Sequence, residues 1–414
     1  MSNPSKLGAL VYEPEASFGE AISTFTTLRV PLTTMVDASG LTHAKLDPDR
    51  VQQRRQEGTQ WILGIQGGSF KTKLWLTGHG STTAGATTLG GVETLLGKVF
   101  GNVTASAAAG TTLTGGTATV PITTASATFA AGGLARIGAG PVGTTPSDAR
   151  GNGQFVAVSS HITTNLTLLT AIDGTPNAAD VLYSAVNVYP SEDPINGTAV
   201  TSLRFLIQTA NLEYECHGCY PTSVVFAGLN TGETPSVEIT WAVSWWGYNT
   251  TSFPSAVATE AFTASANAAG SFFINDVGTA TRAKRTIRNF QLTYKLGIVP
   301  LMGPGGSGQY QACVGARRTV DDVKLSWIED ADTATLTPVL DGYATGSTAK
   351  HILYTLNPNI GKAVGFYFPQ VNIINRPVQY NDGGINRLKI EAEANTGPTT
   401  TNDLTACNFR MAWA

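Results

Sequence analysis

An antiparallel all-β fold of sandwich or barrel type, flanked by one short helix, is the fold class this sequence predicts, and three observations carry that expectation. Apolar and polar residues alternate with the period of a half-buried strand: Phe290, Leu292, Tyr294, Leu296 and Ile298 interleave with Gln291, Thr293, Lys295 and Gly297. The 45 glycines and 20 prolines among 414 residues suit many short strands and turns and count against a helical bundle. Hydrophobic residues reach 42% while charged residues are only 13%, so the chain is weakly charged yet apolar enough to fold.

Taken in order, an apolar strand near 35–41 leads through the polar stretch 42–59 into strands at 61–65 and 70–76. Val92, Leu95, Leu96, Val99 and Phe100 then fall on one face of a helix, stopped by Gly101-Asn102. Residues 104–194 are rich in Thr, Ala and Gly, with short strands at 135–137, 155–158, 166–169 and 181–183. They read as a small β domain inserted into an exposed loop, where such insertions are tolerated. Leu203, Phe205 and Ile207 form the next strand, followed by 220–226 and the alternating run Val237–Trp245. Strands at 290–299, 310–314, 323–327, 368–374 and 388–394 complete the chain, with Asn381-Asp-Gly-Gly384 as a turn.

The endings repeat. Tyr220-Pro221 opens a strand that a connector joins to an alternating strand carrying Glu238, and Phe368-Pro369 does the same ahead of Glu391 and Glu393. Two diverged copies of one β domain follow, with boundaries expected at 1–103 plus 195–250 for the first, 104–194 for the insert, 251–284 for a linker or arm, and 285–414 for the second.

The chemistry is sparse. A net charge of −3 argues against groove-type nucleic-acid binding, which needs clustered Lys and Arg. No apolar run reaches the 18 or so residues of a spanning helix, and the first ten residues lack a secretory apolar core, so folding in the cytoplasm without a membrane is expected. Gly138-Ala-Gly-Pro-Val-Gly143 matches a dinucleotide loop formally, but Pro141 and its Thr/Gly surroundings predict turns where a helix is needed. Cys216-His-Gly-Cys219 could hold two zinc positions, yet Cys313 and Cys407 are isolated, and reduced thiols are the simpler expectation. His43, His79, His161 and His351 stand alone, and no nucleophile motif accompanies any of them. Asp321 and Asp322 point to opposite faces of a strand, whereas Glu391 and Glu393 share one. A shared polar face sets a surface field more often than it makes a catalytic couple. No active site and no cofactor are expected, and the weak charging predicts a surface largely covered by copies of the chain.

At this point the chain resembles the tail tube proteins (major tail proteins) of long-tailed double-stranded DNA bacteriophages. The residues that carry the resemblance are Tyr12-Glu-Pro-Glu-Ala-Ser-Phe-Gly19, Val36-Asp-Ala-Ser-Gly-Leu41 before the charged loop 47–57, and Gly64–Gly80 followed by the helix. This block covers about the first quarter of the chain. The remainder agrees only in pattern, and the segment 104–194 departs from the simple family plan. The resemblance implies a tandem of two tube domains and a trimer that completes a pseudo-hexameric ring. It further implies rings stacked into a tube that conducts genomic DNA, and contacts with tape measure, tail terminator and baseplate or tip proteins in the virion. It makes Glu238, Thr240, Ser244, Lys389, Glu391 and Glu393 expected lumen residues, and Asp47, Arg50, Arg54, Arg55, Gly303 and Gly306 expected inter-ring loop residues. The alternative is a virion surface decoration or fibre protein binding the host.

Overall fold

The computed structural model describes residues 9–19, 25, 30, 32–46, 62–76, 91–104, 111–124, 129–139, 153–172, 174, 176, 180–190, 199–209, 212–248, 270–277, 284–303, 313–331, 343, 349–357, 362–395 and 407–414. The chain opens with β1 (Ala9–Pro14), β2 (Leu41–Leu46), β3 (Ile62–Trp75), the helix α1 (Gly91–Phe100) and β4 (Gly101–Thr104). Six short strands follow: β5 (Thr111–Gly116), β6 (Pro121–Thr123), β7 (Leu134–Ala139), β8 (Phe155–Ile162), β9 (Asn165–Leu168) and β10 (Asp180–Ser184). The path returns through β11 (Val186–Pro190), β12 (Leu203–Gln208), β13 (Glu213–Ala227), β14 (Ser236–Val243) and β15 (Trp245–Tyr248). Next come β16 (Ser271–Asp276), β17 (Lys284–Arg285), β18 (Ile287–Lys295), β19 (Ile298–Leu301), β20 (Gly315–Arg318) and β21 (Asp322–Asp330). The chain ends with β22 (Lys350–Thr355), β23 (Val364–Ile373), β24 (Val378–Asp382), β25 (Ile385–Asn395) and β26 (Arg410–Trp413). The all-β, antiparallel class is borne out, and α1 lies where the apolar periodicity put it.

The architecture turns on two long strands that each serve two sheets. The first part of β13 lies between β12 and β15, with β1 beyond β12, and its second part lies between β14 and β18, with β3 beyond β14. β23 repeats this: β22 and β26 flank its first part, β16 lies beyond β22, and its second part pairs β25, with β21 beyond. Because β13 pairs β18, the inner strands of both halves form one continuous sheet in the order β3, β14, β13, β18, β21, β25, β23. One hydrophobic core underlies it, with Phe70, Val224, Trp241, Leu292, Tyr294, Trp327 and Ile390 from both halves. The helix buries Val92, Leu95, Leu96, Val99 and Phe100 in that core, and Phe100 meets Tyr294 edge-on at 5.0 Å. Its last carbonyl accepts from the Arg318 guanidinium, a cation at a helix C-terminus.

Strands β5 to β10 close into a six-stranded barrel with its own core of Leu113, Ile137, Val156, Val158, Leu166 and Leu182. Its other side is apolar too: Leu134, Phe155 and Ala157 pack on Phe273, Leu353, Tyr367 and Ala412 of β16, β22, β23 and β26. The barrel is thus spliced between α1 and β12 yet sits against the sheet of the other half.

Several expectations need correction. The strand expected at 35–41 starts only at Leu41, because Asp37 Oδ1 accepts from the Ser39 amide and Leu41 N–H reaches the Ala38 carbonyl, closing a turn. The strands at 61–65 and 70–76 are one, β3, which runs through Gly67 and Gly68. Gly68 (φ 126°) has no room for a side chain, since a Cβ there would stand 2.1 Å from the Gly40 carbonyl. The run Val237–Trp245 breaks at Ser244, where the chain passes from one part of β13 to the other. The end of the expected linker 251–284 is strand β16, buried at Phe272, Phe273 and Ile274, which takes the place in the second half that β1 takes in the first. β24 was not foreseen.

Candidate functional site

The most organised chemistry lies on the solvent side of the inner sheet. Alternation buries every second residue of its strands, so polar residues share the opposite face. The cross-strand register lines them up in a row: Lys73 stands opposite Glu238, Glu238 opposite Val225, Val225 opposite Thr293, Thr293 opposite Lys324, Lys324 opposite Glu393, and Glu393 opposite Asn372. A neighbouring row holds Lys71, Thr240, Ser223, Lys295 and Asp322. Gln291, Ser326 and Glu391 make a further row, and Arg288, Ile328 and Lys389 another.

Each lysine here has a carboxylate beside it. Lys71 lies 3.5 Å from Glu238, Lys324 lies 3.1 Å from Asp322, and Lys389 lies 2.8 Å from Glu391. Lys73 and Lys295 are directly opposite Glu238 and Asp322. Hydrogen bonds from Lys389 and Asn375 hold the Glu391 carboxyl below its ordinary range. Exposed pairs of this kind contribute about 0–1 kcal/mol each, too little to explain them as fold stabilisers. Their consequence is electrostatic: Lys71, Lys324 and Lys389 each meet a carboxylate, which offsets their charge where a polyanion would otherwise grip.

Of the expected lumen residues, Glu238, Thr240, Lys389, Glu391 and Glu393 therefore share one face of one sheet. Ser244 does not belong to it. It is fully buried and its hydroxyl donates to the Cys313 carbonyl at 2.5 Å, because the break after Val243 turns it inward. Gly303 is exposed just beyond β19, whose pairing with β20 makes a two-stranded arm. Asp47, Arg50, Arg54, Arg55 and Gly306 lie outside the described residues, as does His79.

In the Cys216-His-Gly-Cys219 segment the histidine enters an ionic network. All four cysteines are buried free thiols, and no group of three or more His, Cys, Asp or Glu stands together as a metal site among the described residues. His217 instead bridges two carboxylates: Nε2 is 2.5 Å from Glu215 Oε1 and Nδ1 is 3.5 Å from Glu15 Oε1. Glu15 also accepts from the Gly19 and Gly218 amides and from Ser202 Oγ, while Arg204 reaches Glu215 at 2.6 Å. Burial alone would depress His217, but the two carboxylates outweigh it and raise its pKa. Glu215 is lowered by the His217 hydrogen bond first, against burial, with Arg204 adding to it. This buried chain of charges ties the segment after β1 to β12 and β13. Sequence reasoning missed it because Glu15 and His217 are 202 positions apart.

Gly138, the first glycine of the formal dinucleotide motif, lies inside β7. His161 contacts Thr123 Oγ1 at 3.2 Å, and His351 is buried beside Tyr367. Among the described residues no helix is long and apolar enough to cross a membrane. No protein-family model and no curated protein matches the chain, so the functional reading rests on this geometry.

Proposed function

We propose that this chain is the structural subunit of a bacteriophage tail tube, in which three copies form a ring of six repeats and stacked rings conduct genomic DNA. One observation carries the reading: the inner strands of both halves make one continuous sheet on whose exposed side each lysine stands beside or opposite a carboxylate. A wall that must let a duplex slide needs hydration without a phosphate trap, and alternating Lys and Glu supply both. The strands that would bear it, β14 and β25, sit at matching places in the two repeats. A sheet with unpaired edges invites association, and closure into a barrel removes the edges.

The arm β19–β20 carries exposed Val299, Leu301 and Met302, apolar surface suited to contact with the next ring. In this reading the chain acts by shape and field, with tape measure, terminator and baseplate or tip proteins as partners. Negative-stain microscopy of the purified protein, alone and with a tail initiator complex, tests it. Rings or tubes with a bore that admits a duplex are expected; a dispersed monomer under both conditions would overturn it.

A further inference from the structure

Resting on the reading of the chain as a ring-forming subunit, we infer that the long β23–β25 hairpin is the element by which one copy recognises the next, its edge at 372–382 joining the segment 32–37 of a second copy. The argument starts inside the chain. At the join between the two repeats, Ser223 stands opposite Lys295 and Phe226 opposite Leu292. The outer edges of the sheet hold the equivalent positions. Asp37 bridges Lys71 as Lys295 pairs Asp322, and Leu32 bridges Leu74 as Leu292 pairs Leu325. On the other edge Asn372 pairs Glu393 as Val225 pairs Glu238. Lys73 and Lys324 occupy the matching place on the next strand.

Carrying the internal join over to two copies sets Ile373 opposite Leu32, just beyond Val371, the last residue of β23 that pairs β22. Among the described residues neither edge has a partner strand at 372–382 or outside 32–37. Both carry exposed apolar side chains: Met35 at 50% on one, and Ile374 at 42% and Val378 at 60% on the other. An edge of this kind, with apolar side chains beside open backbone groups, is a template for pairing with another chain.

The two joins differ in one respect, and the difference gives the hairpin its role. In the first repeat the connector between β13 and β14 is the eight residues 228–235. There Asn230 accepts from the Phe290 amide at 2.9 Å and the Leu229 carbonyl accepts from Tyr354, so the short loop closes onto the second repeat. In the second repeat the equivalent stretch, between Ile374 and Glu391, is the sixteen residues 375–390. It builds β24 and the Gly383–Gly384 turn, extending the edge past the end of β23. The extension lies only on the edge that faces another copy, so it marks that edge as distinct from the internal one.

The test uses the full chain with Met35→Cys and Ile374→Cys, treated with a short bis-maleimide; the four native thiols are buried and stay unreactive. Crosslinking is expected to convert the monomer band to a ladder that ends at the trimer. The single variants should remain monomeric on the gel. Tubes or rings seen by microscopy without crosslinks, or a dimer formed by Ile374→Cys alone, would overturn the inference and leave the tube reading standing. Absence of any assembly of the unmodified chain would overturn both. As a second variant, Ile374→Asp places an unpaired carboxylate in the join and should weaken association by roughly a hundredfold or more; unchanged association would count against the inference.

Discussion

At the scale of single residues, the buried chain Glu15–His217–Glu215–Arg204 sets a pH response. The folded pKa of His217 is raised above the ordinary value of about 6.5. Its contribution to stability is therefore complete below that value and lost as pH rises through the folded pKa. Glu215 is lowered, so its contribution is present above the ordinary carboxylate value and lost as pH falls through the folded one. Thermal unfolding should thus be most resistant in mildly acidic solution, between about pH 4.5 and 6.5. On the alkaline side Tm should decline, and His217→Gln should flatten that part of the profile. Calorimetry across this range checks it; a wild-type Tm that keeps rising above pH 7 would contradict the assignment. Glu15→Ala should cost about 3 kcal/mol at any of these pH values, because it strands the buried amides and the Ser202 hydroxyl together with the imidazolium.

At the scale of elements, close approach decides how the barrel is seated. Gly365 on β23 lies under the Phe155 ring of β8, and a Cβ there would stand 2.7 Å from the ring. Neither side has freedom to retreat: Phe155 is fully buried, and β23 is held by β22 and β26. The contact is reinforced by Asn187, whose side chain accepts from the Leu134 amide and donates to the Leu134 carbonyl. Gly365→Ala should therefore cost about 1–3 kcal/mol as overpacking. The loss should appear first as loosened docking, read as faster proteolysis between the barrel and the strands it covers. Unchanged proteolysis and Tm would mean that the ring moves aside without cost.

At the scale of the whole molecule, the inner sheet is a field as much as a scaffold. Replacing Glu391 and Glu393 with Lys leaves the buried side of β25 untouched, so folding and assembly should persist. It breaks the pairing of Lys389 with Glu391 and of Lys324 with Glu393, turning a balanced face cationic. On the tail-tube reading proposed above, assembled variant tubes should then retain duplex DNA, with binding that falls steeply between about 50 and 200 mM salt, and phage carrying them should deliver DNA poorly. Normal infectivity with no DNA retention would argue against this face as the lumen wall. The same scale explains the seating of the barrel, which leaves one repeat by chain connection and packs on the other, fastening the two together.

Local pattern alone determined a good deal: the antiparallel β class, the helix at Val92–Phe100, the matching strand pairs that mark the two halves, and the shared face of Glu391 and Glu393. These follow from side-chain periods of 2 and 3.6, which need no knowledge of neighbours. Tertiary structure decided what depends on partners far along the chain. Ser244 fits the alternation yet turns inward, because a strand must break to pass between two sheets. β16 hid in an Ala/Ser/Thr-rich stretch because its burial comes from β22, about 80 residues later in sequence order. The union of both halves into a single charge-paired sheet rests on the β13–β18 register, and pairing between distant strands leaves no mark in either one's own sequence.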